Sequence, residues 1–218
     1  METNNPNIGY EKEITLKQAL VILVGVIVVL FVVGTFVGNK FFWNKFDKTA
    51  NKVDLMMKNA ENLVKQKPKD ALAHAVLGLE YMKRGQTDEA IKELEIANKM
   101  NSKHLGILFN LGLAYKTAAK NDEALVEFNK ILEESPYHFL AIVNTGDIYK
   151  QKKQYGKALS YFDRALKIEP GAADVWLLQA ETYKDMDKKD MALQSVDKAL
   201  RFVPDYKEAL ELKSKLGG

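Results

Sequence analysis

The chain has 218 residues, 47% of them hydrophobic and 28% charged, with a net charge of +3 and no cysteine. So small a charge gives no electrostatic footprint for nucleic acid. The lack of thiols removes disulfide frameworks, thiolate nucleophiles and cysteine-based zinc sites together, and the length fits one or two domains.

Residues 1–15 are polar, hold Pro6 and Gly9, and read as a short flexible tail. From Ala19 to Gly38 the chain runs ALVILVGVIVVLFVVGTFVG without a charge. At about 1.5 Å per residue, a helix of that length matches the roughly 30 Å hydrocarbon core of a bilayer. It lacks the polar face of a buried soluble helix and exceeds the apolar region of a signal peptide. A belt of Lys40, Phe41, Phe42 and Trp43 follows, suited to the interface. Residues 16–40 are therefore expected to form one retained transmembrane helix. The amino terminus, Lys12 and Lys17 precede the span, and Lys40, Lys45, Lys48 and Lys52 follow it. That slight excess leans toward a cytoplasmic C-terminal domain and leaves the side open. Gly34 and Gly38 form a small-xxx-small pair, but glycine is common in membrane helices and the pair lies at the end of the span.

Residues 44–66 carry apolar residues at Phe46, Ala50, Val53, Met57, Ala60 and Val64. Steps of four and three make one stripe of an amphipathic helix, which Pro68 ends. Segment 41–67 is expected to connect the span to the rest of the chain, as a half-repeat packed on the first full unit. A membrane-surface helix or a coiled-coil seam is the other reading.

Beyond residue 71 the chain repeats. Tyr81, Tyr115, Tyr149 and Tyr183 stand 34 residues apart. Three residues before each stands Gly78, Gly112, Gly146 or Ala180; nine after each stands Ala90, Ala124, Ala158 or Ala192. Pro68, Ser102, Pro136, Pro170 and Pro204 keep the same step. Such periodicity signals stacked units, each here two helices and a turn. Glycine inside a helix costs about 1 kcal/mol against alanine, so its recurrence implies close approach of the paired helices. Large residues then fill the wedge between pairs. The units are 71–104, 105–138, 139–172 and 173–206, and residues 205–218 are expected to form a polar capping helix.

These residues resemble the tetratricopeptide repeat. The stretches FNLGLAYKTAAKNDEALVEFNKILEESP and VNTGDIYKQKKQYGKALSYFDRALKIEP match nearly every signature position. Departures are His74, Leu94, Val196 and Ser102. The resemblance covers residues 71–204. It implies an all-α fold: a right-handed α-solenoid of four helix pairs with flanking helices, here preceded by one transmembrane helix. It further implies that the first helices line a concave groove that takes a peptide or helical segment of a partner protein. In that register the groove draws on Leu72, Ala75, Leu79 and Met82, then on Phe109, Asn110, Leu113 and Lys116. The third unit offers Leu140, Val143, Asn144, Asp147 and Lys150, and the fourth Asp174, Leu177, Glu181 and Lys184. The N-terminal half is apolar and the C-terminal half mixed in charge, which suits an amphipathic or partly apolar partner segment; the other reading is that the helix at 44–66 covers some of those apolar residues. The subgroup that holds C-terminal carboxylates uses Lys, Arg and Asn where this chain has Ala75, Leu79, Asn110, Leu140 and Asn144. Only Asn110 fits, so no such clamp is expected.

No catalytic, cofactor-binding or metal site is legible, and no phosphate loop, nucleophile elbow or H-E-x-x-H motif is present. His104 and His138 lie one period apart in inter-repeat turns and read as turn residues rather than ligands. The expectation is a non-enzymatic, single-pass membrane scaffold or adaptor, which tethering helps by raising the local concentration of its partner. A holdase for translocated proteins is a competing reading. So is a non-catalytic subunit of a larger membrane enzyme or filament, with repeats stacking on copies of themselves as a homo-oligomer.

Overall fold

The computed structural model describes residues 44–217, with side-chain environments from residue 54 onward. Every regular element among the described residues is a helix: α1 (Asn44–Gln66), α2 (Ala71–Lys83), α3 (Thr87–Met100), α4 (Leu105–Thr117), α5 (Asn121–Glu134), α6 (Phe139–Gln151), α7 (Tyr155–Ile168), α8 (Ala173–Asp185), α9 (Lys189–Phe202) and α10 (Lys207–Gly217). The chain divides into units 1–55 and 56–218, of which the second holds the repeats. The expected transmembrane span lies outside the described residues, among which no helix is long and apolar enough to cross a membrane.

The helices pack in order as the pairs α2/α3, α4/α5, α6/α7 and α8/α9, each second helix then meeting the first helix of the next pair. Each unit therefore touches mainly its neighbours, as expected of a helical solenoid. The turn inside each pair is set by one device. The Tyr81 carbonyl accepts from the Gln86 amide at 3.0 Å, Tyr115 from Lys120 at 2.9 Å, Tyr149 from Gln154 at 2.8 Å and Tyr183 from Lys188 at 2.9 Å. This is the Schellman closure, which needs a left-handed residue just past the helix. Gly85 supplies it at φ +72°, and Ala119, Lys153 and Asp187 do so at φ +57°.

Within the pairs the close approach has a particular form. A Cβ on Gly78 would lie 2.7 Å from Leu94 Cγ, and on Gly112 or Gly146 it would lie 2.8 Å from Cε1 of Phe128 or Phe162. The large residue of the second helix thus rests on the glycine of the first. Ala180 takes the glycine's place in the fourth pair, where the smaller Val196 packs in the same buried cluster. The recurring alanines, all fully buried, contribute differently: at Gly78 the near atom from Ala90 is its carbonyl oxygen, 3.2 Å away.

The tyrosines lie between pairs. Tyr115 touches the buried clusters on both sides of the first junction, and its hydroxyl donates to Glu95 Oε1 of the preceding pair at 2.7 Å. Tyr149 packs against the buried clusters on both sides of the second junction and stacks on Tyr161 of its own pair at 5.5 Å between ring centroids. At the N-terminal end, Met57 and Ala60 of α1 are buried with Leu77, and Val64 and Tyr81 pack alongside. At the C-terminal end, Ala209 and Leu212 of α10 close over Leu177, Ala180, Val196 and Ala199.

Candidate partner-binding face

The first helices are started by side-chain caps in register. Asp70 Oδ1 accepts from the Leu72 amide at 2.9 Å. His104 Nδ1 accepts from Ile107 N at 3.3 Å and His138 Nδ1 from Ala141 N at 3.2 Å. The two inter-repeat histidines therefore satisfy helix N-termini, which leave orphan amides. In the fourth unit the same position is Ala172, without a side-chain cap. Among the described residues no group of three His, Cys, Asp or Glu side chains is placed to hold a metal ion.

Neighbouring first helices touch directly, α2 with α4 and α6 with α8, and side chains bridge α4 to α6. On the face they share, Leu72 is 51% exposed, Val76 41% and Leu140 51%. Half-buried beside them are Leu79 and Met82, Phe109, Asn110, Leu113 and Lys116, Val143, Asn144, Asp147 and Lys150, and Glu181. Asp174 and Lys184 are exposed. Ala75 and Leu177 do not belong to an open surface. Ala75 is buried in the cluster with Ile107 and Leu111 of α4, and Leu177 is buried with Ala209 and Leu212 of α10. In both cases the next helix in the stack covers the position. Val76, absent from the sequence reading, stands four residues after Leu72 and so on the same side of α2. Phe109 is held as a wedge, 5.9 Å from the Phe128 ring and 5.7 Å from His138.

The charged half of the face is organised as a ladder. Lys116 Nζ lies 2.6 Å from Asp147 Oδ2 and donates to Asn144 Oδ1 at 2.9 Å. Asn144 is itself oriented by donating Nδ2 to the Leu140 carbonyl at 2.8 Å. One unit further on, Lys150 pairs with Glu181. Each lysine follows its unit's tyrosine, and each carboxylate stands 31 residues beyond its lysine. The ladder has no rung between units one and two, where Met82 and Leu113 fill the corresponding places. Past the fourth unit the register brings Lys215 after Lys184, like charge after like. Lys184 instead has Asp185 at 3.6 Å. On the junction behind, burial, together with the hydrogen bond to Glu95, holds the Tyr115 phenol well above its ordinary value.

Helix pairs stacked so that their first helices share one face, with exposed apolar residues on α2 and α6 and paired charges from α4 to α8, define a helical-repeat protein. Two family models described as Tetratricopeptide repeat match residues 75–139 and 149–216, together more than half of the chain, and the chain belongs to the tetratricopeptide repeat family. Solved structures of similar fold include the crystal structure of MamA, 19% identical, with 72% of this chain and 92% of that one covered at a TM-score of 0.65. Another is YrrB, described as a TPR protein with an unusual peptide-binding site, 21% identical, with 78% and 88% covered at 0.65. A third is a tetratricopeptide repeat protein from Parabacteroides merdae ATCC 43184, 21% identical, with 82% and 71% covered at 0.68. At these identities the likeness is one of fold. No curated protein matches the chain.

Proposed function

We propose that this protein is a membrane-anchored scaffold that holds an apolar peptide or helical segment of a partner protein on the face of α2, α4 and α6, in support of a membrane-associated assembly. The observation that carries the reading is the exposure of Leu72 and Val76 on α2 and of Leu140 on α6, with half-buried Leu79 on α2 itself and Leu113 on the intervening α4. Aliphatic side chains gathered on one face of a repeat array suit a partner segment that buries its own apolar residues there. The peptide-binding site named for YrrB is a precedent within the fold. Residues 19–38 supply the anchor in this reading, and the lysines that follow them favour the cytoplasmic side.

The test is site-specific photocrosslinking in native membranes. A photoreactive residue at Val76 should capture one stoichiometric partner, whereas one at Val126 on α5, 53% exposed on a second helix, should not. Equal capture from both positions overturns the reading, and capture of many substoichiometric clients at Val76 favours the holdase instead. Protease accessibility of the repeats in intact cells decides the side.

A further inference from the structure

The ladder has a consequence for which segments the face accepts. Lys116 and Lys150 are the cations that project among the apolar positions of α4 and α6. Their side chains are only 21% and 16% exposed, and each is already engaged by a carboxylate of the next unit. Lysine and acid also arrive together at the two junctions that join α4 to α6 and α6 to α8, though not past the fourth unit, where Lys215 stands 31 residues after Lys184. Where the position after the tyrosine is Met82, the position 31 residues on is Leu113; where it is Lys116 or Lys150, that position is Asp147 or Glu181. The acids thus accompany the lysines as built-in counter-ions.

We propose that Asp147 and Glu181 are specificity-determining residues of this face: they occupy the groove lysines, so that the face takes an uncharged apolar segment and rejects an acidic one. This rests on the partner-binding reading above. A ligand carboxylate would have to displace Asp147 from Lys116 and exchange one ion pair for another, leaving half-buried Asp147 without a counter-ion and with only the Gln151 Nε2 donor at 3.2 Å. Exchanging like for like yields no net attraction, and the acid stripped of its cation adds repulsion toward the incoming one. An apolar segment leaves both rungs intact and covers Leu72, Val76 and Leu140.

The experiment uses the full chain in lipid nanodiscs and two labelled peptides of equal length. One is an uncharged sequence of Leu, Ala, Ser and Gln; the other carries glutamates at its polar positions. The wild-type protein should bind the uncharged peptide about tenfold more tightly or better, with little dependence on salt. The D147N/E181Q variant frees both lysines without changing side-chain size. It should gain about tenfold for the acidic peptide, a gain that added salt abolishes, and so narrow the preference for the uncharged one. K116M/D147L installs the Met82/Leu113 combination at the next junction; it lacks the acid but also the freed lysine, and should gain nothing. If the double variant fails to fold, D147N alone should show a smaller gain of the same kind. Equal binding of both peptides to wild type, or no acidic gain in a folded variant, overturns the proposal and leaves the face reading standing. If neither peptide binds wild type, the face reading itself fails and this inference falls with it.

Discussion

The Cβ position of Gly112 lies 2.8 Å from Cε1 of Phe128, closer than carbon atoms approach without displacement. The phenyl ring is fully buried and meets the half-buried Phe109 at 5.9 Å, so it has little room to retreat. Gly112→Ala is expected to destabilise the protein by about 1–3 kcal/mol, an overpacking cost larger than the helix propensity that alanine gains. The fourth unit shows the compensating solution, Ala180 with Val196. Phe128→Val alone should cost about 2–4 kcal/mol through the cavity it opens. The double substitution should cost less than the sum of the two. Urea titration of all three variants measures the coupling; strict additivity would mean that glycine and ring do not share the space.

A second prediction concerns backbone strain. The left-handed position of the Schellman turn is glycine in the first unit and Ala119 in the second, at φ +57°. A Cβ there opposes the conformation by about 1–2 kcal/mol, less the entropy that glycine gives up. Ala119→Gly should therefore raise stability by a few tenths to about 1 kcal/mol. Gly85→Ala should lower it by a similar amount, because nothing lies within 4 Å of the new Cβ and conformation alone opposes it. Thermal unfolding followed by circular dichroism checks both signs.

The cap column supplies a third. Asp70, His104 and His138 each accept an amide at the start of a first helix, and Ala172 does not. Ala172→Ser should add about 0.5–2 kcal/mol, and His104→Ala should remove a comparable amount. Faster amide exchange in the first turn of α4 for the histidine variant would locate the loss at the cap.

Which of these features could be read from the residues, and which could not, follows from range. The 34-residue ruler, the paired helices and the glycines are local and periodic, so they stand out in one dimension. The burial of Ala75 and Leu177 is not local. Each is covered by the helix one unit further on, and for Leu177 that is the polar-looking α10, whose buried Ala209 and Leu212, with Leu216 packed alongside, make the lid. The individual lysines and acids of the face were visible as a mixed-charge half, but their pairing was not, since each rung joins residues 31 apart on neighbouring helices. That spacing is a readable signal for arrays of this period: three less than the repeat, from lysine to acid. No apolar periodicity marks Val76, because the matching places in the next two units are Asn110 and Asn144.

A fourth prediction arises where the same columns disagree. Asn98 lies in register with Leu132, Leu166 and Leu200. Its Oδ1 is buried with no hydrogen-bond partner. An amide oxygen stripped of water and unpaired costs about 1–3 kcal/mol. Asn98→Leu should therefore stabilise the junction of α3 with its neighbours by about 1–2 kcal/mol, through relief of that penalty and added apolar contact. A neutral or destabilising result in a denaturant titration would show that the leucine does not fit the space its counterparts occupy.

The last prediction is a pH dependence. Burial, the hydrogen bond to Glu95 and the nearby carboxylates of Glu95, Glu127 and Glu123 all raise the Tyr115 phenol above its ordinary 10.0. A group whose affinity for its proton is higher in the folded state contributes stability that is complete below the unfolded value. That stability is lost as pH rises from about 10 toward the folded value, because the unfolded chain releases the proton first. Tyr161, Tyr183 and Tyr206 are raised as well, with burial the leading cause in each, so the alkaline limb is shared. Tyr115→Phe should cost roughly 1 kcal/mol at neutral pH, for the lost hydrogen bond to a part-buried carboxylate. It should also flatten the fall in stability above pH 10, so that the wild-type and variant curves converge. Denaturant titrations from neutral pH to above 10 measure that convergence. Parallel curves would show that the Tyr115 phenol titrates alike in the folded and unfolded chain, and that its contact with Glu95 does not persist in solution.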